Sequence, residues 1–166
     1  MKGKAWKFGD DISTDLIAPG RLFHLRSNLP ELTKHVLEDA RPGFINMIAP
    51  GDFVVAGKNF GQGSSREHAP TIIKMAGIGA VLAKGFARIF YRNAINIGLP
   101  AIICDTDRIE EGDELEVDLD KGTVTNLTRG FSEAFPPLPP VMQRIFDEGG
   151  LVPFIKKYGD LELPAS

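Results

Sequence analysis

Residues Asn59 to Ala69 read Asn-Phe-Gly-Gln-Gly-Ser-Ser-Arg-Glu-His-Ala, the densest run of chemically competent side chains in the chain. Gly61 and Gly63 allow the backbone to approach a ligand closely, Ser64 and Ser65 offer adjacent hydroxyls, and Arg66 offers a planar fork of donors matched to a carboxylate. The chemistry this pattern supports is the binding of an anionic, carboxylate-bearing substrate. Commoner motifs fail on inspection. Gly61-x-Gly63-x-x-Arg66 lacks the third glycine of a dinucleotide fingerprint, no Gly-Lys-Ser/Thr is present for a P-loop, and Gly63-x-Ser65-x-Glu67 lacks the closing glycine of a hydrolase elbow. Ser64 and Glu67 also satisfy the spacing of a helix capping box. That reading covers the pair but not the two glycines, the second serine and the arginine.

The flanking elements decide where such a run would sit. Phe53-Val54-Val55, bounded by Pro50-Gly51 and Gly57, is predicted to be a buried strand, and Ala69, Ile72, Ile73 and Ala76 lie at helical spacing over Glu67 to Ala76, closed by Gly77. The run is therefore a turn between strand and helix, where strand ends and a helix N-terminus aim backbone N–H groups at one point. Ala80 to Ala83 and Ala101 to Cys104 are further short strands around an amphipathic helix from Ala87 to Ile97. This alternation implies a parallel sheet core with covering helices. A short strand over residues 3–8 leads into a polar loop, Leu16 to Asn28 reads as an aperiodic mobile loop, and a helix begins at Pro30. Glu114 to Asp118 and Thr123 to Leu127 flank Asp120-Lys121-Gly122 as a hairpin. Val141 to Glu148 forms a last helix, followed by a short helical tail.

Composition narrows the function classes. At 166 residues and 43% hydrophobic, the chain is long enough to bury the core of one soluble domain spanning 1–166. A net charge of −3 without a basic run argues against nucleic acid as a principal partner. The apolar stretches are far shorter than the roughly 20 residues a membrane helix needs, and no export signal follows Met1, which together predict a cytoplasmic location. Cys104, the single cysteine, cannot by itself hold zinc or an iron–sulfur cluster, so no metal ligands are assigned to this chain and any cluster must come from another.

Gly63 to Ala69 resembles the signature of the swivelling domain of the aconitase superfamily. Three further segments agree with it in the same order: Asp11 to Ile17, Lys84 to Phe90, and Tyr91 to Pro100. Together the four cover most of residues 6–104, and the wording of the last is similar to the small subunits of isopropylmalate dehydratase and homoaconitase. The resemblance implies an α/β fold with β/β/α layers. It also implies a hydro-lyase that isomerises a 2-hydroxy polycarboxylate by dehydration and rehydration, active only with a large subunit that holds a [4Fe-4S] cluster.

Residue by residue, the resemblance gives Ser64 the role of catalytic base and Ser65, Arg66 and Asp15 positions that bind or orient substrate. Asp15 also fits a plain turn or cap residue. His24-Leu25-Arg26-Ser27 resembles a Tyr-Leu-Arg-Thr pattern of the loop that sorts substrates, with its first and last residues departing from it. Arg26 would suit the distal carboxylate of homoaconitate, whereas the isopropyl group of 3-isopropylmalate prefers an apolar lining. Glu67 and His68 are read as structural, and Arg88, Arg92, Asn93 and Asn96 are given no catalytic role. The reading from another class is a non-catalytic regulatory or interaction domain on the same fold.

Overall fold

A computed structural model of the chain describes residues 1–64 and 66–159. Seven strands form one curled sheet in the order β4-β3-β2-β1-β5-β6-β7. β1 (Lys2–Lys7), β2 (Phe53–Val55), β3 (Ala80–Ala83) and β4 (Ala101–Ile103) run parallel, while β5 (Glu114–Asp118), β6 (Thr123–Asn126) and β7 (Phe131–Ala134) add antiparallel to the other edge of β1.

β1 serves both halves with different residues. Its C-terminal part pairs with β2 at Ala5, Trp6 and Lys7, and its N-terminal part pairs with β5 at Lys2, Gly3 and Lys4. Gly3 lies at this junction because a Cβ there would stand 2.3 Å from the Gly51 carbonyl oxygen.

Alternation along the strands builds the β/β/α layers. Phe53, Val55, Ala80 and Leu82 face Leu115, Val117 and Val124 of the antiparallel half, so the two halves of the sheet sandwich one core. Val54, Val81 and Ala83 point the other way, into a core shared with the helices. There α4 (His68–Met75) lays Ala69, Ile72 and Ile73 and α5 (Arg88–Asn96) lays Phe90 and Ala94. Ile72 and Ile73 are fully buried, each worth about 1.5–3 kcal/mol of apolar burial, which anchors α4 behind the Gly-Ser turn. Gly77, at φ +100°, ends the helical segment, as its place in the sequence predicts.

Several elements differ from the sequence-based expectation. Leu16 to Asn28 is short helical turns, with α1 (Thr14–Ile17) running into a 3₁₀ segment Gly20–Leu25, because Ile17 and Ala18 are buried and tie it to the core. The helix at Pro30 is only α2 (Leu29–Thr33), capped by Asn28, which accepts the Glu31 N–H. The hairpin gains β7, whose alternation of half-buried and exposed residues is too short to show as a period. α3 (Phe44–Met47) was not foreseen, while α6 (Pro140–Asp147) and α7 (Leu151–Tyr158) close the chain as expected. No helix of the described residues is long and apolar enough to cross a membrane.

Candidate functional site

The parallel ladder continues as a narrow seam beyond the strand ends. The segment after β1 joins the segment after β2 through Gly61 N–H to the Ile12 carbonyl at 2.7 Å and Thr14 N–H to the Gln62 carbonyl at 2.8 Å. That second segment joins the one after β3 through Phe60 N–H to the Gly85 carbonyl at 3.1 Å and Ala87 N–H to the Phe60 carbonyl at 2.9 Å. Three motifs far apart in sequence are thus stitched side by side at one edge of the sheet.

Gly61 turns here at φ +85°, and a Cβ on it would lie 2.2 Å from Phe90 Cγ. Phe90 is itself packed edge-on against Phe60 at 5.2 Å, so neither ring can retreat and only glycine fits.

Ser64 stands past this turn, exposed, with its Oγ accepting a hydrogen bond from Arg66 Nε at 3.0 Å. The buried Thr14 hydroxyl donates to the Ser64 carbonyl at 2.9 Å and lies 3.4 Å from Ser64 Oγ. Ser64 is not the cap of α4. That helix starts at Glu67 as N-cap with no side-chain cap bond, so the capping-box alternative does not form and the hydroxyl stays available.

Arg66 is held on two further sides. Its Nη2 pairs with Asp15 Oδ1 at 2.8 Å, and its Cζ lies 5.2 Å from the centre of the Phe23 ring. Its Nη1 is buried with no hydrogen-bond partner among the described residues. Asp15 projects from the first turn of α1, whose cap is Ser13 Oγ accepting the Leu16 N–H at 3.2 Å. The structure therefore brings Ser64, Arg66 and Asp15 together. Ser65 lies outside the described residues.

A cavity of about 210 Å³ opens beside these groups, with Gly61, Ser64 and Arg66 on one side and Arg88, Ile89 and Asn93 of α5 on the other. None of the described residues lining it is acidic, and it carries two guanidinium groups, one of them already paired with Asp15, an arrangement that favours an anion. Asp15 does not line it and acts on it only through Arg66.

Arg26 lies elsewhere. It donates to the Phe23 carbonyl at 3.2 Å, stacks over the Phe23 ring at 4.3 Å, and lines a neighbouring depression with Leu29, Glu67, His68 and Thr71. His68 packs 6.4 Å from the same ring, and its pKa is lowered by burial and then by the charges of Arg66 and Arg26, which keeps the imidazole neutral near pH 7.

Thr14 and Phe23 do not stand out in the sequence, and Arg88 and Asn93 are given no catalytic role there. Arg88 and Asn93 are five positions apart on α5 and flank the cavity, while Arg92 and Asn96 do not line it. Thr14 and Arg88 both lie in segments already singled out by resemblance, but nothing local distinguishes them from their neighbours.

The described residues offer no ligand set for a metal or cluster. Cys104 is buried, and burial, followed by the charges of Glu133 and Asp105, pushes its thiol up to about 12. Among the described residues no three His, Cys, Asp or Glu side chains converge as a ligand set.

Comparison with known proteins agrees with this architecture. A family model described as the aconitase C-terminal domain matches residues 47–105. The 3-isopropylmalate dehydratase small subunit 2 of Archaeoglobus fulgidus is 65% identical over 98% of this chain and 99% of its own length. Small subunit 1 of the Thermotoga maritima enzyme is 58% identical over 96% of each. A crystal structure of 3-isopropylmalate dehydratase from Methanocaldococcus jannaschii superposes with a TM-score of 0.89 at 45% identity, covering 95% of this chain and 94% of that one.

Proposed function

The chain belongs to the small-subunit family of 3-isopropylmalate dehydratase in the aconitase superfamily, and from that membership we propose that it supplies the proton-transfer edge of a hydro-lyase acting on 3-isopropylmalate. The observation that carries the proposal is the 3.0 Å hydrogen bond from Arg66 Nε to Ser64 Oγ.

Dehydration of a 2-hydroxy acid needs a base for the proton on the carbon next to a carboxylate. A serine hydroxyl is a poor base unless its anion is stabilised more than its neutral form. The Arg66 N–H gives that preference through a charge-assisted bond, and Asp15 holds the guanidinium in register. Arg66 and Arg88 both line the cavity, so two guanidinium groups stand beside the space a substrate carboxylate would fill. In the proposed reaction Ser64 takes the proton and, in the rehydration half, returns it to the substrate.

A cytoplasmic complex with a large subunit completes the site in this reading. That partner holds the [4Fe-4S] cluster, because this chain's one thiol is buried in the core. No step assigned to this chain runs through it.

A second substrate reading, homoaconitate, is favoured by one observation: Arg26 is exposed and stacked on an aromatic ring, with its charge available to a distal carboxylate. A non-catalytic interaction domain would have no use for an exposed Ser64 hydroxyl held by Arg66 and backed by the buried Thr14 beside a cavity without acidic lining residues.

The test is anaerobic reconstitution with the large subunit and assay of 3-isopropylmalate beside homoaconitate. Turnover of 3-isopropylmalate that depends on Ser64 supports the proposal; a reconstituted complex that turns over neither acid rejects it.

A further inference from the structure

Phe23 sits in the 3₁₀ segment with 46% of its surface exposed. A single exposed aromatic side chain is unremarkable by itself. What requires an account is the convergence on it: Arg26 Cζ at 4.3 Å and Arg66 Cζ at 5.2 Å from the ring centre, with the His68 ring at 6.4 Å. Two guanidinium groups of like charge share one ring, and the negative faces of the ring offset their mutual repulsion.

The bonds already described leave Arg66 one unrestrained motion. Its contacts with Ser64 and Asp15 both leave from the Nε–Nη2 edge, so they fix that edge and allow the plane to tilt about it. A ring near the Arg66 guanidinium restricts that tilt. Nη1 lies off the fixed edge, so a tilt would displace it, and it is buried with no hydrogen-bond partner among the described residues to hold it in place.

We infer that Phe23 is a positioning residue for the proposed reaction, its ring fixing the orientation of the Arg66 guanidinium beside Ser64. The inference rests on the reading of Ser64 and Arg66 given above. It also joins the loop to the site: Arg26 is bonded to the Phe23 carbonyl and stacked on its ring, so a change in that loop reaches Arg66 through Phe23.

The experiment compares Phe23→Leu, Phe23→Ala, Phe23→Tyr and Phe23→Trp in the reconstituted complex at saturating large subunit. Leucine keeps apolar volume and loses the ring face, so Phe23→Leu and Phe23→Ala should both lower kcat/KM roughly 3- to 30-fold, while tyrosine and tryptophan recover most of the loss. Phe23→Leu equal to wild type would show that only apolar packing matters and would overturn the inference. So would a tyrosine variant as impaired as leucine. Saturation with the large subunit separates weakened assembly from weakened chemistry. Ser64→Ala is run alongside: if it stays active, or if the wild-type complex turns over neither acid, the reading of the site falls and this inference with it. Phe23→Leu at wild-type activity beside an inactive Ser64→Ala removes this inference alone.

Discussion

Asp15 Oδ1 lies 2.8 Å from Arg66 Nη2, and the same guanidinium donates through Nε to Ser64 Oγ at 3.0 Å. The carboxylate is 62% exposed on its side chain, so water screens the pair and it contributes little to folding, about 0–1 kcal/mol. Its effect belongs to geometry. Asp15→Asn in the reconstituted complex should lower kcat/KM about 10-fold while the urea midpoint of the isolated chain hardly moves. A variant whose loss of activity tracks an equal loss of stability would show that Asp15 is only a turn residue.

Ser64→Ala should reduce kcat by roughly 10²- to 10⁴-fold, the span for loss of a positioned general base. Because α4 begins at Glu67 and draws no cap from Ser64, folding stability should change by no more than about 0.5 kcal/mol. Steady-state kinetics and a denaturation curve on the same preparation check both halves. Activity near wild type would remove Ser64 from the chemistry.

Arg26→Val should lower kcat/KM for homoaconitate by about 1.5–3 kcal/mol more than for 3-isopropylmalate, the scale of a charged hydrogen bond, any loss that travels through Phe23 and Arg66 being common to both acids. Arg21 is an unsuitable control for loop charge, because its Nη2 pairs with Glu38 at 2.6 Å and Asp39 at 2.8 Å and so fastens the loop. Arg92→Gln serves better, since Arg92 is exposed and does not line the Ser64 cavity. Equal effects of Arg26→Val on the two acids would place specificity elsewhere.

Cys104 should be inert and alkali-sensitive. Its raised pKa means that the folded chain keeps a proton which the unfolded chain loses, so the contribution to stability is present below the ordinary thiol pKa of about 8.5 and is lost as pH rises toward about 12. Tyr91, raised by its own burial, acts in the same direction. The fall in urea midpoint between pH 8 and 11 should be smaller in Cys104→Ala than in wild type. Iodoacetamide should label Cys104 only after unfolding, and anaerobic reconstitution of the isolated chain should give no stoichiometric cluster absorption. A cluster on this chain alone would contradict the assignment to the large subunit.

Much of this protein is written in short stretches of its sequence. Gly61 to Arg66 stands out as a candidate site because glycines, hydroxyls and an arginine are unusual together in a turn, and the strand and helix around it follow from runs and periods a few residues long. The lone cysteine likewise limits the thiolates this chain can offer a metal to one.

Tertiary structure decided what lies beside what. Thr14 and Ser64 are 50 positions apart, and their contact exists because the segments after β1 and β2 continue in parallel register past the strand ends. Register between distant strands is a property of the whole sheet and leaves no local period to read. The same cause hid the placement of Arg88 and Asn93, which α5 brings to the cavity wall, and of Phe23, whose ring meets Arg66 only after the chain has doubled back. It also settled the competition at Ser64. Its spacing to Glu67 suits a cap, but Arg66 Nε engages the hydroxyl and α4 starts without it, an outcome fixed by side-chain packing rather than by spacing.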